Sequence, residues 1–145
     1  APWILCVPAA DRADEIVAKL LTSALLERGV GAAFVKPEAL EQFPLTEGGR
    51  SVDAIVVSAL PPEAVAPARA VCRKVRSRAR EVPLMVGLWD PEGDLQKPRQ
   101  RLEAAGAGHV VVSFADCLDV LEALATPTAA RRPVATTPRS PALQT

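Results

Sequence analysis

Trp3-Ile4-Leu5-Cys6-Val7, followed by Pro8-Ala9-Ala10-Asp11-Arg12-Ala13-Asp14-Glu15-Ile16, reads as a buried strand, a polar turn and the start of a helix. The strand is apolar without alternation, which suits a strand covered on both faces. Residues 54–58, 83–88 and 109–113 share that character, and 32–35 make a shorter fifth run placed nearer an edge. Helical patterns fill the intervals, over 13–28, 62–79, 95–105 and 115–125. Strand alternating with helix implies a parallel sheet with right-handed crossovers. The expected fold is therefore α/β: a three-layer α/β/α sandwich on a five-stranded parallel sheet of flavodoxin-like order 2-1-3-4-5.

The first helix offers Ile16, Val17, Leu20, Leu21, Ala24 and Leu25 as one broad apolar stripe and stops at Gly29, a residue free to take the left-handed conformation. Residues 37–42 predict a short helix, and Pro44 with Gly48-Gly49 predicts a mobile loop after it. Pro67 requires the third helix, over 62–79, to kink or to begin later than residue 62, and Pro98 marks a first turn in the next. Beyond residue 125 the chain becomes rich in Pro, Thr, Ala and Arg. Such a segment cannot bury enough apolar surface to offset its ordering entropy. The expected division is a domain over 1–125 and a disordered tail over 126–145.

The 145 residues suffice for one domain, and Lys plus Arg balance Asp plus Glu at 17 each, so global charge argues for no nucleic-acid partner. No apolar run reaches the roughly 18–20 residues that cross a bilayer, and no signal-peptide pattern is present. The sequence starts at Ala1, directly on a strand, which predicts a segment of a longer polypeptide. Cys6, Cys72 and Cys117 are odd in number and widely spaced, and read as reduced core thiols of a cytosolic protein. Cys72 lies beside Arg73 and Lys74, but its helical phase turns it inward.

In a 2-1-3-4-5 sheet, ligands collect above the carboxyl ends of strands 1, 3 and 4. The residues delivered there are Asp11, Arg12 and Asp14, then Ser58 and Leu60, then Gly87 and Trp89, with Ser113 after strand 5. Each has two readings. Asp11 and Asp14 suit a ligand hydroxyl, or cap the helix start. Ser58 suits a ligand contact or a loop cap. Trp89 suits stacking on a planar group or packing. Arg69, Arg73, Arg76 and Arg80 form a basic helix face, either solvated or set against anionic lipid.

Known chemistries of this topology lack their residues here. No G-x-G-x-x-G follows strand 1. A receiver domain shares the strand order, but phosphorylation needs an aspartate ending strand 3 and a lysine after strand 5, where this chain has Ser58 and Ser113. The single His109 builds no metal cluster or triad. No nucleophile-base pair is present, and no enzymatic activity is expected.

The chain resembles cobalamin-binding domains over residues 3–125. That family carries D-x-H-x-x-G after strand 1, S-x-L after strand 3 and a paired glycine after strand 4. Asp11 to Ile16, Ser58-Ala59-Leu60 and Gly87-Leu88 occupy those places. Ala13 stands where the family has its cobalt-ligating histidine, and Ile16 and Leu88 replace glycines and are expected to narrow the nucleotide cavity. No cofactor is therefore expected.

A more particular resemblance runs through Leu-Cys-Val-Pro, Ala-Asp-Glu-Ile, Val-Ser-Ala-Leu-Pro-Pro, Ala-Arg-Ala-Val-Cys-Arg-Lys-Val-Arg and Val-Gly-Leu-Trp. These runs are similar to the soluble carboxy-terminal extension of some bacterial permeases of the autoinducer-2 exporter-like family. The resemblance implies a cytoplasmic accessory or regulatory domain, tethered through a membrane-embedded parent chain, that senses a small ligand or mediates assembly. The alternatives are a module binding a nucleotide or base-on cobalamin, and a structural domain that forms homo-oligomers.

Overall fold

In the computed structural model, which describes residues 3–42, 46–47, 50–61, 64–89 and 93–125, the amino-terminal strand-turn-helix forms as its residues dictate. β1 (Trp3–Pro8) holds Ile4, Leu5, Cys6 and Val7 entirely out of solvent and leads into α1 (Arg12–Glu27). Then come β2 (Gly31–Phe34), a 3-10 turn at Pro37–Ala39, β3 (Thr46–Glu47), β4 (Arg50–Ser51), β5 (Ala54–Ala59), α2 (Val65–Arg78), β6 (Leu84–Leu88), α3 (Gln96–Ala104), β7 (His109–Val111) and α4 (Phe114–Ala125). Five strands make one parallel sheet, β2-β1-β5-β6-β7, which is order 2-1-3-4-5 when its own strands alone are counted. β3 and β4 pair antiparallel, within the stretch the sequence assigned to a mobile loop. The tail at 126–145 and residues 62 and 90 lie outside the described residues.

Strand alternation sends successive side chains to opposite faces, and both faces are apolar. Leu5, Val7, Ile55, Val57, Leu84 and Val86 meet Ala68, Val71, Cys72 and Val75 of α2 and Leu102 of α3. Ile4, Cys6, Ala54, Val56 and Met85 meet Ala18, Leu21 and Leu25 of α1 and Cys117, Leu118 and Leu121 of α4. Each fully buried Leu or Ile stabilises the fold by roughly 1.5–3 kcal/mol relative to exposure.

α1 is narrower in its contact than its sequence predicts. Its buried residues are Asp14, Ala18, Leu21 and Leu25, at the i, i+4, i+7, i+11 spacing of one helix face. Ile16 and Leu20, expected in the stripe, are 54% and 58% exposed. Gly29 ends the segment at φ +80°, the left-handed conformation expected of it.

Prolines set two helix starts. α2 begins at Val65, so Pro67 falls in the first turn, where a missing N–H removes no intrahelical bond. Pro98 has the same place in α3. At the other end of α2, Arg76 serves the backbone. Its Nε and Nη2 donate to the Gly106 carbonyl at 3.0 and 2.8 Å, and Nη1 donates to the carbonyls of Ala79, Arg80 and Val82 at 3.3, 2.9 and 2.7 Å. Gly106 sits at φ +117°, and a Cβ there would lie 2.5 Å from Arg76 Cγ. The expected basic face is thereby reduced, because Arg76 is engaged by the turns that precede β6 and β7.

All three cysteines are free and buried. Burial pushes the thiols of Cys6 and Cys72 from an ordinary 9.0 up to about 11 and that of Cys117 to about 12. Cys117 Sγ lies 3.6 Å from Met85 Sδ.

Candidate functional site

The carboxyl end of the sheet is a row of register partners: Pro8 beside Ser58, Ser58 beside Gly87, Gly87 beside Val111. Ala54 and Val56 face α1 and α4, so alternation along β5 turns Ser58 to that side too. Ser58 has no exposed surface, and its Oγ has no hydrogen-bond partner among the described residues.

Asp14 is the buried carboxylate of this corner, 3% exposed. Its Oδ2 accepts from the amides of Ala10 and Asp11 at 3.0 and 3.2 Å, and its Oδ1 accepts from the Leu60 amide at 2.8 Å. Asp11 Oδ1 accepts from the Asp14 amide at 2.9 Å, completing a reciprocal capping box. Of the two sequence readings, capping describes the observed contacts of both residues. Asp14 does more than cap: it joins the turn after β1 to the turn after β5. Arg12, the third expected residue of that turn, is exposed. Ser113 is likewise a cap, its Oγ accepting from the Asp116 amide at 3.0 Å at the start of α4.

Trp89 folds back onto the sheet end. It is 6% exposed and packs against Phe114, with ring centroids 5.4 Å apart and planes tilted by 59°. A Cβ built on Gly87 would fall 2.1–2.6 Å from three atoms of the indole, so the ring occupies the volume over that glycine. The cavity of the cobalamin resemblance is therefore filled differently from expectation. Ile16 points outward and Leu88 packs on the opposite, α2/α3 face. The group covering the glycine is Trp89. Its Nε1 is buried without a partner among the described residues.

Beside Trp89 an open groove of about 470 Å³ is lined by Val17 and Leu20 of α1 and by Val112 and Phe114 at the β7–α4 junction. Trp89 forms part of its wall. Sequence reasoning named Trp89 and missed the other four. The available signal was the excess of apolar residues on α1 beyond the quarter of the helix that a sheet can cover.

A fold of this order, with α1 and α4 on one face and α2 and α3 on the other, is shared by known structures. The fold is that of a receiver domain. The non-phosphorylated HemR receiver domain from Leptospira biflexa superposes with a TM-score of 0.63 at 15% identity, covering 96% of this chain and 99% of that one. A response regulator from Thermotoga maritima gives 0.61 at 14% identity, over 88% of this chain and 99% of that one. The receiver domain of the sensor histidine kinase PA1611 from Pseudomonas aeruginosa gives 0.57 at 19% identity, again over 88% and 99%. No family model and no curated protein matches the sequence. These likenesses establish the receiver fold and give no support to the cobalamin-binding or permease-extension resemblance.

The PA1611 receiver holds a magnesium ion in its active-site cleft. The corresponding corner here does not fit one. Both oxygens of Asp14 are taken by three amides, and among the described residues no group of three His, Cys, Asp or Glu side chains is placed to hold a metal. Among the described residues, no helix is long and apolar enough to cross a membrane.

Proposed function

We propose that this chain is a regulatory module with the receiver fold that works without phosphoryl transfer, its state set by what binds around the carboxyl end of the sheet. The observation that carries this reading is Ser58: at the end of the central strand, where a receiver needs its aspartate, the chain places a hydroxyl with no exposed surface. Asp14, whose charge could otherwise serve a metal, is committed to backbone amides. Asp11, Asp14 and Leu60 form a scaffold of backbone contacts, Gly87 and Trp89 a second group, Ser58 lies beside Gly87 in the sheet, and Arg12 is exposed. With magnesium and beryllofluoride, the melting temperature of the chain is expected to stay unchanged, because a ligand stabilises only a state that it binds. A saturable rise, or incorporation of phosphate from acetyl phosphate, overturns the reading.

The attachment of this module to the cytoplasmic side of a membrane-embedded permease is proposed on the quoted sequence runs alone. Immunoblotting of fractionated cells for the intact polypeptide tests it. Recovery with membranes is expected, and recovery solely in the soluble fraction overturns it.

A further inference from the structure

We infer that the groove between α1 and the β7–α4 junction is a binding site for a neutral, largely apolar small molecule carrying one hydrogen-bond acceptor, which the indole N–H of Trp89 engages. Three observations converge on it. The groove's volume of about 470 Å³ falls within the usual range for small-molecule pockets, roughly 300–1,000 Å³. Its lining, Val17, Leu20, Trp89, Val112 and Phe114, contains no charged side chain, so an ionic ligand would lose hydration there without gaining a counter-charge. The third is Nε1 of Trp89, a donor without an acceptor among the described residues, in a residue that is 6% exposed. A buried donor without a partner is a standing cost, so a ligand that supplies the acceptor gains more there than at a satisfied site.

Gly87 presents no side chain, and the indole rests directly on its backbone. In the proposed complex the ring turns on this support so that Nε1 reaches the groove, of which Trp89 already forms part of the wall. On the other side Leu20, 58% exposed, stands as an aliphatic rim that a seated molecule would cover. Charged nucleotides and metal ions do not match this lining. The proposal does not depend on phosphorylation chemistry, and its failure leaves the preceding reading intact.

The test uses three matched probes: 2-acetonaphthone, which has one carbonyl acceptor; 2-ethylnaphthalene, its hydrocarbon counterpart; and 2-naphthoate, an anion. The chain has two tryptophans, so its indole N–H resonances are assigned by Trp3→Phe and Trp89→Phe variants. The ketone is expected to move the Trp89 resonance downfield in a saturable manner and to bind about tenfold more tightly than the hydrocarbon. Naphthoate is expected to leave it in place. Leu20→Glu, a change at an exposed position, should abolish the ketone shift while the fold persists. Trp89→Phe should erase the preference for ketone over hydrocarbon, followed through the Val17 and Val112 methyls. Equal affinity for ketone and hydrocarbon, or a shift that survives Leu20→Glu, overturns the proposal. A shift of the same resonances on protein dilution alone would assign the groove to a second copy of the chain and overturn it as well.

Discussion

The two faces of the sheet are built from the same strands and differ in kind. Beneath α2 and α3 the cluster of Leu5, Val7, Ile55, Val57, Leu84, Val86 and Leu102 is apolar throughout, and the loops at its border are gathered by Arg76. Beneath α1 and α4 the strands present Cys6, Ser58, Met85 and Gly87, and the helices add Asp14, Cys117 and a tryptophan folded over a glycine. The first face solves a packing problem. The second holds Ser58 Oγ and Trp89 Nε1, both buried without a partner among the described residues, and an open groove at the edge of the sheet where this topology places ligands, whereas the α2 side holds one such atom, Arg69 Nε. Polar groups of that kind weaken a purely structural face.

The severest challenge to this contrast is Asp14→Ala. It strips the acceptor from the amides of Ala10, Asp11 and Leu60 at once and is expected to cost roughly 2–4 kcal/mol in urea unfolding. Asp14→Asn, which keeps an acceptor oxygen, should recover part of that loss. A cost near zero for the alanine variant would mean that the corner is not held by the carboxylate. Gly87→Ala comes next, at about 1–3 kcal/mol, because its methyl would meet the indole well inside contact distance. In a Trp89→Leu background the same change should cost far less. If the two effects simply add, the ring and the glycine are independent and the placing of the indole over Gly87 is wrong.

A pH dependence, confined to alkaline conditions, also sorts the faces. Each buried thiol titrates higher folded than unfolded, so its contribution is fully present below pH 9 and is lost as pH rises from there through about 11 for Cys6 and Cys72 and about 12 for Cys117. Melting temperature should decline over that window. Two of the three thiols lie under α1 and α4. A Cys6→Ala, Cys117→Ala double variant should therefore flatten the decline more than Cys72→Ala does, and the reverse ranking would break the assignment.

Strand identity, sheet order and the two-sided burial of the sheet were legible in the sequence, because a short apolar run without alternation has few other uses. The capping role of Asp11 was legible for the same reason of locality: its partner, the Asp14 amide, lies three residues away. The errors came where partners were distant. Counting apolar bulk favoured Ile16 and Leu20 over Ala18, yet the helix is phased by a small residue against the sheet and by Asp14, whose third hydrogen bond comes from Leu60. Arg76 looked like surface charge because its carbonyl partner in Gly106 is 30 residues away. The close approach of Trp89 to Gly87 had a visible trace, since residues two apart at a strand end share a face. Without the tertiary path of the loop, that trace did not say which residue covered which.

The meeting of Arg76 and Gly106 also constrains how this chain can change over evolutionary time. The glycine is required twice, by its φ of +117° and by the arginine stem that fills the place of its Cβ. A lineage that loses Arg76 relieves only the steric demand, while the backbone demand persists and several carbonyls lose their donor. A lineage that loses Gly106 first displaces the arginine as well. The two positions are therefore coupled: replacing the glycine meets the backbone and the steric demand together, and replacing the arginine forfeits the donor to four carbonyls.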